Sequence, residues 1–358
     1  VTESKAPLGL PLWCWAAPLA AFACAGLKIA HVVLPAWLLA PVLVAAVLAA
    51  VHHAEIIAHR VGEPFGTLVL ALAVTTIEVA LIVSLMLEGG TDATALARDT
   101  VFAAVMIILN GIVGLCLLVG SRRYGTQTFN LSGANSALTV LAALTVLTMI
   151  LPNYTIATPG PTYATEQLAF VAVVSIILYL SFVFVQTVRH RDYFLTDAVG
   201  EAHAVTGNAT AMASFLLLLA ALVGVVMIGK ALAPTIEALV DAAGAPRTLV
   251  GVIIASIVLM PEGLAAVRAA RANRLQDSLN LGLGSALASI GLTIPAVAMV
   301  ALLLGMPLAL GIDPESTVLL VLSLFVAVLT LATGRTMILA GIIHLVIFAT
   351  YVFLVIMP

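Results

Sequence analysis

The chain has 358 residues, 63% of them hydrophobic and only 9% charged, with a mean hydropathy of +1.22. Soluble domains carry roughly a quarter charged residues, so a soluble enzyme or binding domain is excluded. A formal net charge of −3 also gives no basis for nucleic-acid or polybasic lipid recognition.

Apolar runs repeatedly reach the ~20 residues that a helix needs to cross a ~30 Å hydrocarbon core. They predict an all-α membrane protein of eleven transmembrane helices, over 10–30, 32–51, 66–87, 100–120, 131–151, 167–188, 208–229, 248–267, 279–304, 315–333 and 336–357. The first run is interrupted by Pro11 and Pro18 and preceded only by Lys5. No polar mature domain follows it, so it reads as a retained helix rather than a signal peptide. Val1 in place of an initiating Met implies that residue 1 is not the native start.

The second run ends in VHHAEIIAHRVGE (51–63), which gathers His52, His53, Glu55, His59 and Arg60. The spacing is not HExxH, so a zinc protease is not indicated, and a solvated helix end is expected ahead of a pH or metal sensor. Further along, the third run carries Glu78, the fourth Asn110, the eighth Glu262, and the ninth Ser285 and Ser289. His344 in the eleventh reads as a packing histidine ahead of a proton relay. Between the sixth and seventh runs, RHRDYFLTDAVGEAHAV holds His190, Asp192, Asp197, Glu201 and His203. A regulatory Ca²⁺ or pH-sensing role is a hypothesis for them, although EF-hand spacing is absent. Cys14, Cys24 and Cys116 lie in apolar segments without a CxxC and read as small packing residues.

Basic residues set the orientation, because translocating them is disfavoured. With a cytoplasmic N-terminus, the inside collects Lys5, Arg60, Arg122, Arg123, Arg189, Arg191, Arg268, Arg271, Arg274 and Arg335. The outside keeps Lys28, Arg98, Lys230 and Arg247. This asymmetry favours an odd number of crossings with the C-terminus outside, in the periplasm if the membrane is a bacterial inner membrane.

An internal repeat is legible. GEPFGTLV (62–69) opens the third run and GAPRTLV (244–250) opens the eighth, and Glu78 and Glu262 follow at similar distances. LNGIVGLCLLVG (109–120) aligns without gaps over GSALASIGLTIP (284–295), setting Asn110 against Ser285. The expected organisation is an N-terminal helix (1–31), a first five-helix repeat (32–188), a cytoplasmic linker (189–207) and a second repeat (208–358). Five is odd, so the copies cross the membrane in opposite directions, as in many secondary transporters whose substrate lies near the midplane at the repeat interface.

Glu78 and Glu262 are the acidic residues deep within the runs. An ionised side chain at mid-bilayer costs at least ~2.5–3.5 kcal/mol, and such residues usually mark an ion or proton path. The plainer reading of Glu262 alone is snorkelling or pairing with Arg268. Pro261 is expected to kink or break its helix, freeing carbonyl oxygens that with carboxylates are hard-cation ligands. Thr75 and Thr76 precede Glu78 within a turn, and Ser289 lies one turn beyond Ser285. Thr75, Thr76 and Ser289 read equally well as helix-packing residues; Asn110 is the stronger ligand candidate.

HRVGEPFGTLVLALAVTTIEVALI, LMPEGLAAVRAARANRLQDSLNLGLGSALASIGLTIP and FVQTVRHRDYF closely resemble the bacterial Ca²⁺/H⁺ antiporters of the ChaA type, within the cation/Ca²⁺ exchanger superfamily. The resemblance implies a proton-coupled exporter of Ca²⁺, and in this branch of Na⁺ and K⁺. It matches Glu78 and Glu262 to the acids of the two α-repeats, and Asn110 and Ser285 to neutral oxygen ligands. Thr75 and Met260 are read as departures from the commoner GN-x-x-E form, which places Asn there.

Two buried carboxylates close together resist ionising together, and a cation between them reverses that. Cation and protons then compete, which suffices for antiport if access alternates. No cofactor is expected; the partners are the lipid bilayer and inorganic cations, with no nucleic acid and no obligatory protein. The alternatives are Na⁺-coupled Ca²⁺ exchange, whose additional sodium ligands are not evident, an intramembrane enzyme, for which no GxSxG or zinc motif is present, and a passive channel.

Overall fold

The structure, a computed structural model, describes residues 7–32, 34–62, 65–89, 94–194 and 207–357. Eleven long helices follow in chain order: α1 Leu12–Ile29, α2 Ala36–Val61, α3 Phe65–Gly89, α4 Leu96–Tyr124, α5 Leu131–Tyr154, α6 Thr165–Arg189, α7 Asn208–Ala242, α8 Thr248–Arg271, α9 Leu275–Leu304, α10 Pro314–Leu331 and α11 Ile338–Ile356. All but α3 are long and apolar enough over their described residues to cross a membrane, and α3 carries the apolar stretch Ala71–Leu87. In the hydrocarbon core a helix satisfies its own backbone hydrogen bonds, which is why apolar runs of this length adopt it.

The expected spans appear in order, with two ends corrected. α2 runs on to Val61 and α7 to Ala242, well past the apolar runs that announced them. Charge ends an apolar run, but a backbone breaker ends a helix. The breakers are Gly62 and Gly244, each at positive φ (76° and 67°), a conformation that glycine adopts without Cβ strain. Pro18 lies inside a continuous α1 rather than interrupting it.

The expected break at Pro261 is likewise absent, since α8 is helical without interruption from Thr248 to Arg271. Irregular backbone lies instead in the following helices. α4 passes through a π-helical segment at Ile107–Ile112, which includes Asn110, and α9 through another at Ser289–Thr293. The two segments are not at aligned positions of the repeat, and two further ones lie at Val146–Ile150 in α5 and Val185–Arg189 in α6, so they are not confined to the helices that follow a glutamate-bearing one. Single-turn π segments inside α-helices are frequent at functional sites.

Contacts divide the chain into two compact units, Val1–Leu85 with Ala198–Leu239, and Met86–Asp197 with Val240–Pro358. The first unit mixes helices from both sequence repeats, so compactness does not follow the repeat boundaries. Within it, α7 lies close on α1, where a Cβ at Gly224 would meet Ala21 Cβ at 2.5 Å. His53, expected at a solvated helix end, is fully buried there, its Nε2 2.8 Å from the Cys14 carbonyl. His52 beside it is half-buried, 3.9 Å from Glu55 and tilted against Trp13. Only part of that histidine cluster therefore reaches solvent. The cysteines are unpaired, Cys14 and Cys116 buried as packing residues.

In the second unit, a two-residue antiparallel ladder pairs β1 (Gln127–Thr128) with β2 (Arg335–Thr336). It joins the α4–α5 and α10–α11 connections, while a bridge between Thr162 and Ala309 joins the α5–α6 and α9–α10 connections. Each pair of loops is separated by an even number of helices, six and four, as loops on one side of a membrane must be.

Candidate cation site

Among the described residues, Glu78 and Glu262 are the buried carboxylates, 4% and 7% exposed. They fall in different units and are described separately. On α3, Thr75 is buried one turn before Glu78, and Ile77 beside it is 1% exposed. Thr76 points away from this face: it is exposed, and its hydroxyl donates to the Leu72 carbonyl at 2.6 Å. Its proton is spent on its own helix, the common fate of a membrane-helix threonine.

On α8, the position three residues before Glu262 is Leu259 and not the expected Met260, and it is 2% exposed. The amide of the GN-x-x-E form is thus replaced in both repeats, by Thr75 and by Leu259. Glycines let the neighbouring helices close on Glu262. A Cβ at Gly263 would lie 3.2 Å from Ile112 Cδ1, which seats α8 against the π segment of α4. A Cβ at Gly251 would lie 3.2 Å from Asp99 C and Thr100 N, backbone atoms of the same helix. On α9, Ser289 is buried and Ser285, one turn earlier, is half-buried.

Asn110 is fully buried in the π segment and is held by two other helices. Its Nδ2 donates to Ser323 Oγ on α10 at 2.8 Å, and its Oδ1 lies 3.2 Å from His344 Nδ1 on α11. His344 Nε2 in turn lies 2.9 Å from Thr330 Oγ1 on α10. His344 is thus buried with a polar partner at each ring nitrogen. Ser323 and Thr330 carry no sequence signal, being a serine and a threonine in an apolar helix. The signal for His344 was its presence in a membrane span.

The regulatory candidates separate. His190 and Asp192 are exposed on the turn after α6, where the His190 ring stacks on Tyr193 at 4.9 Å. Asp197, Glu201 and His203 lie outside the described residues. Among the described residues, no three His, Cys, Asp or Glu side chains are placed together to hold a metal ion.

A cavity of about 350 Å³ opens at the starts of α4, α8 and α10, lined by Asp99, Asp313, Glu315 and Tyr351 among others. Two of its acids serve local structure. Asp99 pairs with Arg98 at 2.7 Å, and Asp313 caps α10, accepting from the Ser316 N–H at 2.7 Å and its hydroxyl at 2.8 Å. Such acids stabilise helix N-termini.

Membrane-crossing helices with a buried carboxylate at matching places in two sequence repeats define the class of polytopic secondary transporters. The profile of the sodium/calcium exchanger protein family matches residues 32–188 and 213–357, and the chain belongs to that family. It is a multi-pass cation antiporter and not an enzyme. The chain is similar to the y4hA protein of Sinorhizobium fredii, 48% identical over 356 residues that cover 98% of this chain and 97% of the other. It is also similar to the sodium-potassium/proton antiporter ChaA of Escherichia coli, 35% identical over 84% of this chain and 83% of that one. The fold matches a solved structure of the Ca²⁺/H⁺ antiporter protein YfkE with TM-score 0.71 and 17% identity, covering 96% of this chain and 99% of that one.

Proposed function

We propose that the protein exports Ca²⁺, Na⁺ and K⁺ in exchange for H⁺, with cation and protons competing for Glu78 and Glu262. The observation that carries this is the burial of those two carboxylates at corresponding points of the two repeats. A carboxylate removed from water is costly as a bare ion and is stabilised either by a proton or by a metal cation. Asn110, Ser285, Thr75 and Ser289 supply the neutral oxygens that hard cations also require. Ca²⁺ in place of two protons is charge-neutral, and Na⁺ or K⁺ in place of one is equally so.

The breadth of cation choice is supported by two features. The ChaA relative is named for sodium and potassium, and the YfkE neighbour for Ca²⁺. Thr75 and Leu259 also leave each glutamate without the amide of the commoner form, a weaker neutral field for a divalent ion. In everted vesicles with a preset proton gradient, Ca²⁺, Na⁺ and K⁺ added in turn are each expected to dissipate it. No response to any of them would overturn the proposal. Na⁺-driven Ca²⁺ uptake with the proton gradient clamped would favour the sodium-coupled alternative.

The site of action is the bacterial inner membrane, with the N-terminus cytoplasmic and the C-terminus periplasmic, on the strength of the arginine distribution. In a cysteine-free background, a cysteine replacing the exposed Arg123 is expected to react with an impermeant maleimide in everted vesicles but not in intact cells. Labelling in intact cells alone would reverse the topology.

A further inference from the structure

The hydrogen bonds around Asn110 have a direction that can be read from one fixed end. Ser323 Oγ lies 2.6 Å from the Leu319 carbonyl, so its proton is spent there and toward other groups it accepts. Whatever faces it at 2.8 Å must donate, which places Asn110 Nδ2 on that side. Asn110 Oδ1 therefore faces His344, and as an acceptor it requires a hydrogen on His344 Nδ1. In the neutral ring Nε2 is then bare and accepts from the Thr330 hydroxyl at 2.9 Å, whose single hydrogen is directed there rather than to the Val326 carbonyl, which also lies 2.8 Å away. The chain runs from Thr330 through His344 and Asn110 to Ser323 and the Leu319 carbonyl, and no two like groups meet.

The second Asn110 amide hydrogen faces Met106 Sδ at 3.8 Å. What remains open on this amide is one lone pair of Oδ1. Asn110, His344 and Ser323 are each 0% exposed, so water does not substitute for a lost member.

We propose that His344 and Ser323 are positioning residues that turn Asn110 into an oxygen donor for the transported cation, an inference that rests on the reading of Asn110 as a cation ligand. Without these partners the amide is free to rotate and present its N–H groups, whose positive ends repel a cation. An apolar side chain at 344 would pack in a membrane helix without any polar group to satisfy, so packing alone does not account for the histidine.

The test measures the cation dependence of proton exchange in proteoliposomes for wild type, His344→Leu, His344→Gln and Ser323→Ala. Losing one hydrogen bond that orients a ligand is expected to raise the cation KM about tenfold in His344→Leu, with Vmax within about threefold. Gln, whose side-chain amide donates to Asn110 Oδ1, is expected to restore most of the affinity, and Ser323→Ala to raise KM in the same direction. An unchanged KM in His344→Leu, or Gln no better than Leu, would overturn the proposal. A wild type that exchanges no cation for protons would defeat the functional reading instead. The network would then be judged by thermal unfolding: coupling between Asn110→Ala and His344→Leu keeps the pair as positioning partners, and strict additivity removes it.

Discussion

Glu262→Gln and, separately, Glu78→Gln are expected to abolish cation-dependent proton movement while the protein still inserts in the membrane. Gln keeps the size and the hydrogen-bonding capacity of Glu, so the 7% and 4% exposed sites stay filled. What it removes is the negative charge and the exchangeable proton. Removing one partner of a buried charge pair costs on the order of 3–5 kcal/mol, roughly 100-fold or more in cation affinity. The initial rate at which Ca²⁺ or Na⁺ dissipates a proton gradient in everted vesicles reports this, with membrane content of the variant matched to wild type. Normal rates in either variant would remove that glutamate from the site.

Gly341 carries the second large effect, and it acts through packing. A Cβ there would lie 2.4 Å from the Leu118 backbone nitrogen and 2.8 Å from the Gly114 carbonyl oxygen. Backbone atoms in the middle of a helix do not yield, so α11 has to move away from α4. The same contact zone places Gly114 against His344 Cβ, where an added Cβ would approach to 2.8 Å. The small residues thus let α11 come close enough for His344 to reach Asn110, as small residues do at membrane-helix interfaces. Gly341→Ala is expected to cost about 1–3 kcal/mol, the usual cost of overpacking, and Gly341→Leu to prevent assembly. Gly284 on α9 is the control, because a Cβ there meets nothing within 4 Å. Thermal unfolding in detergent checks this; equal tolerance of alanine at 341 and 284 would contradict it.

The spans were legible because crossing a bilayer imposes a length and an apolarity that few other structures need. The ends of α2 and α7 were not, since His52, Glu55, Lys230 and Glu237 are charged or polar yet compatible with helix, and the chain turns only at Gly62 and Gly244. Glu78 and Glu262 stood out by rarity, and their equivalence by the flanking GEPFGTLV and GAPRTLV. Pro261 misled, because α8 accommodates it within a continuous helix.

The π segments at Ile107–Ile112 and Ser289–Thr293 contain no proline and so gave no warning. Ser323 and Thr330 were invisible for a different reason. Each lies within reach of a carbonyl of its own preceding turn, Leu319 at 2.6 Å and Val326 at 2.8 Å, as any membrane-helix hydroxyl does. Their link to Asn110 exists only because α4, α10 and α11 approach one another. Local sequence carries propensity, whereas that approach is set by glycines far apart in the chain.

Competition between protons and cation is the central claim, and proton release on binding measures it without a membrane. Ca²⁺ or Na⁺ is added to the purified protein in weakly buffered detergent solution while pH is recorded, with cation binding followed in parallel. Wild type is expected to release protons as the cation binds, and Glu78→Gln and Glu262→Gln to release markedly fewer. Saturable cation binding to wild type with no proton release would contradict the account.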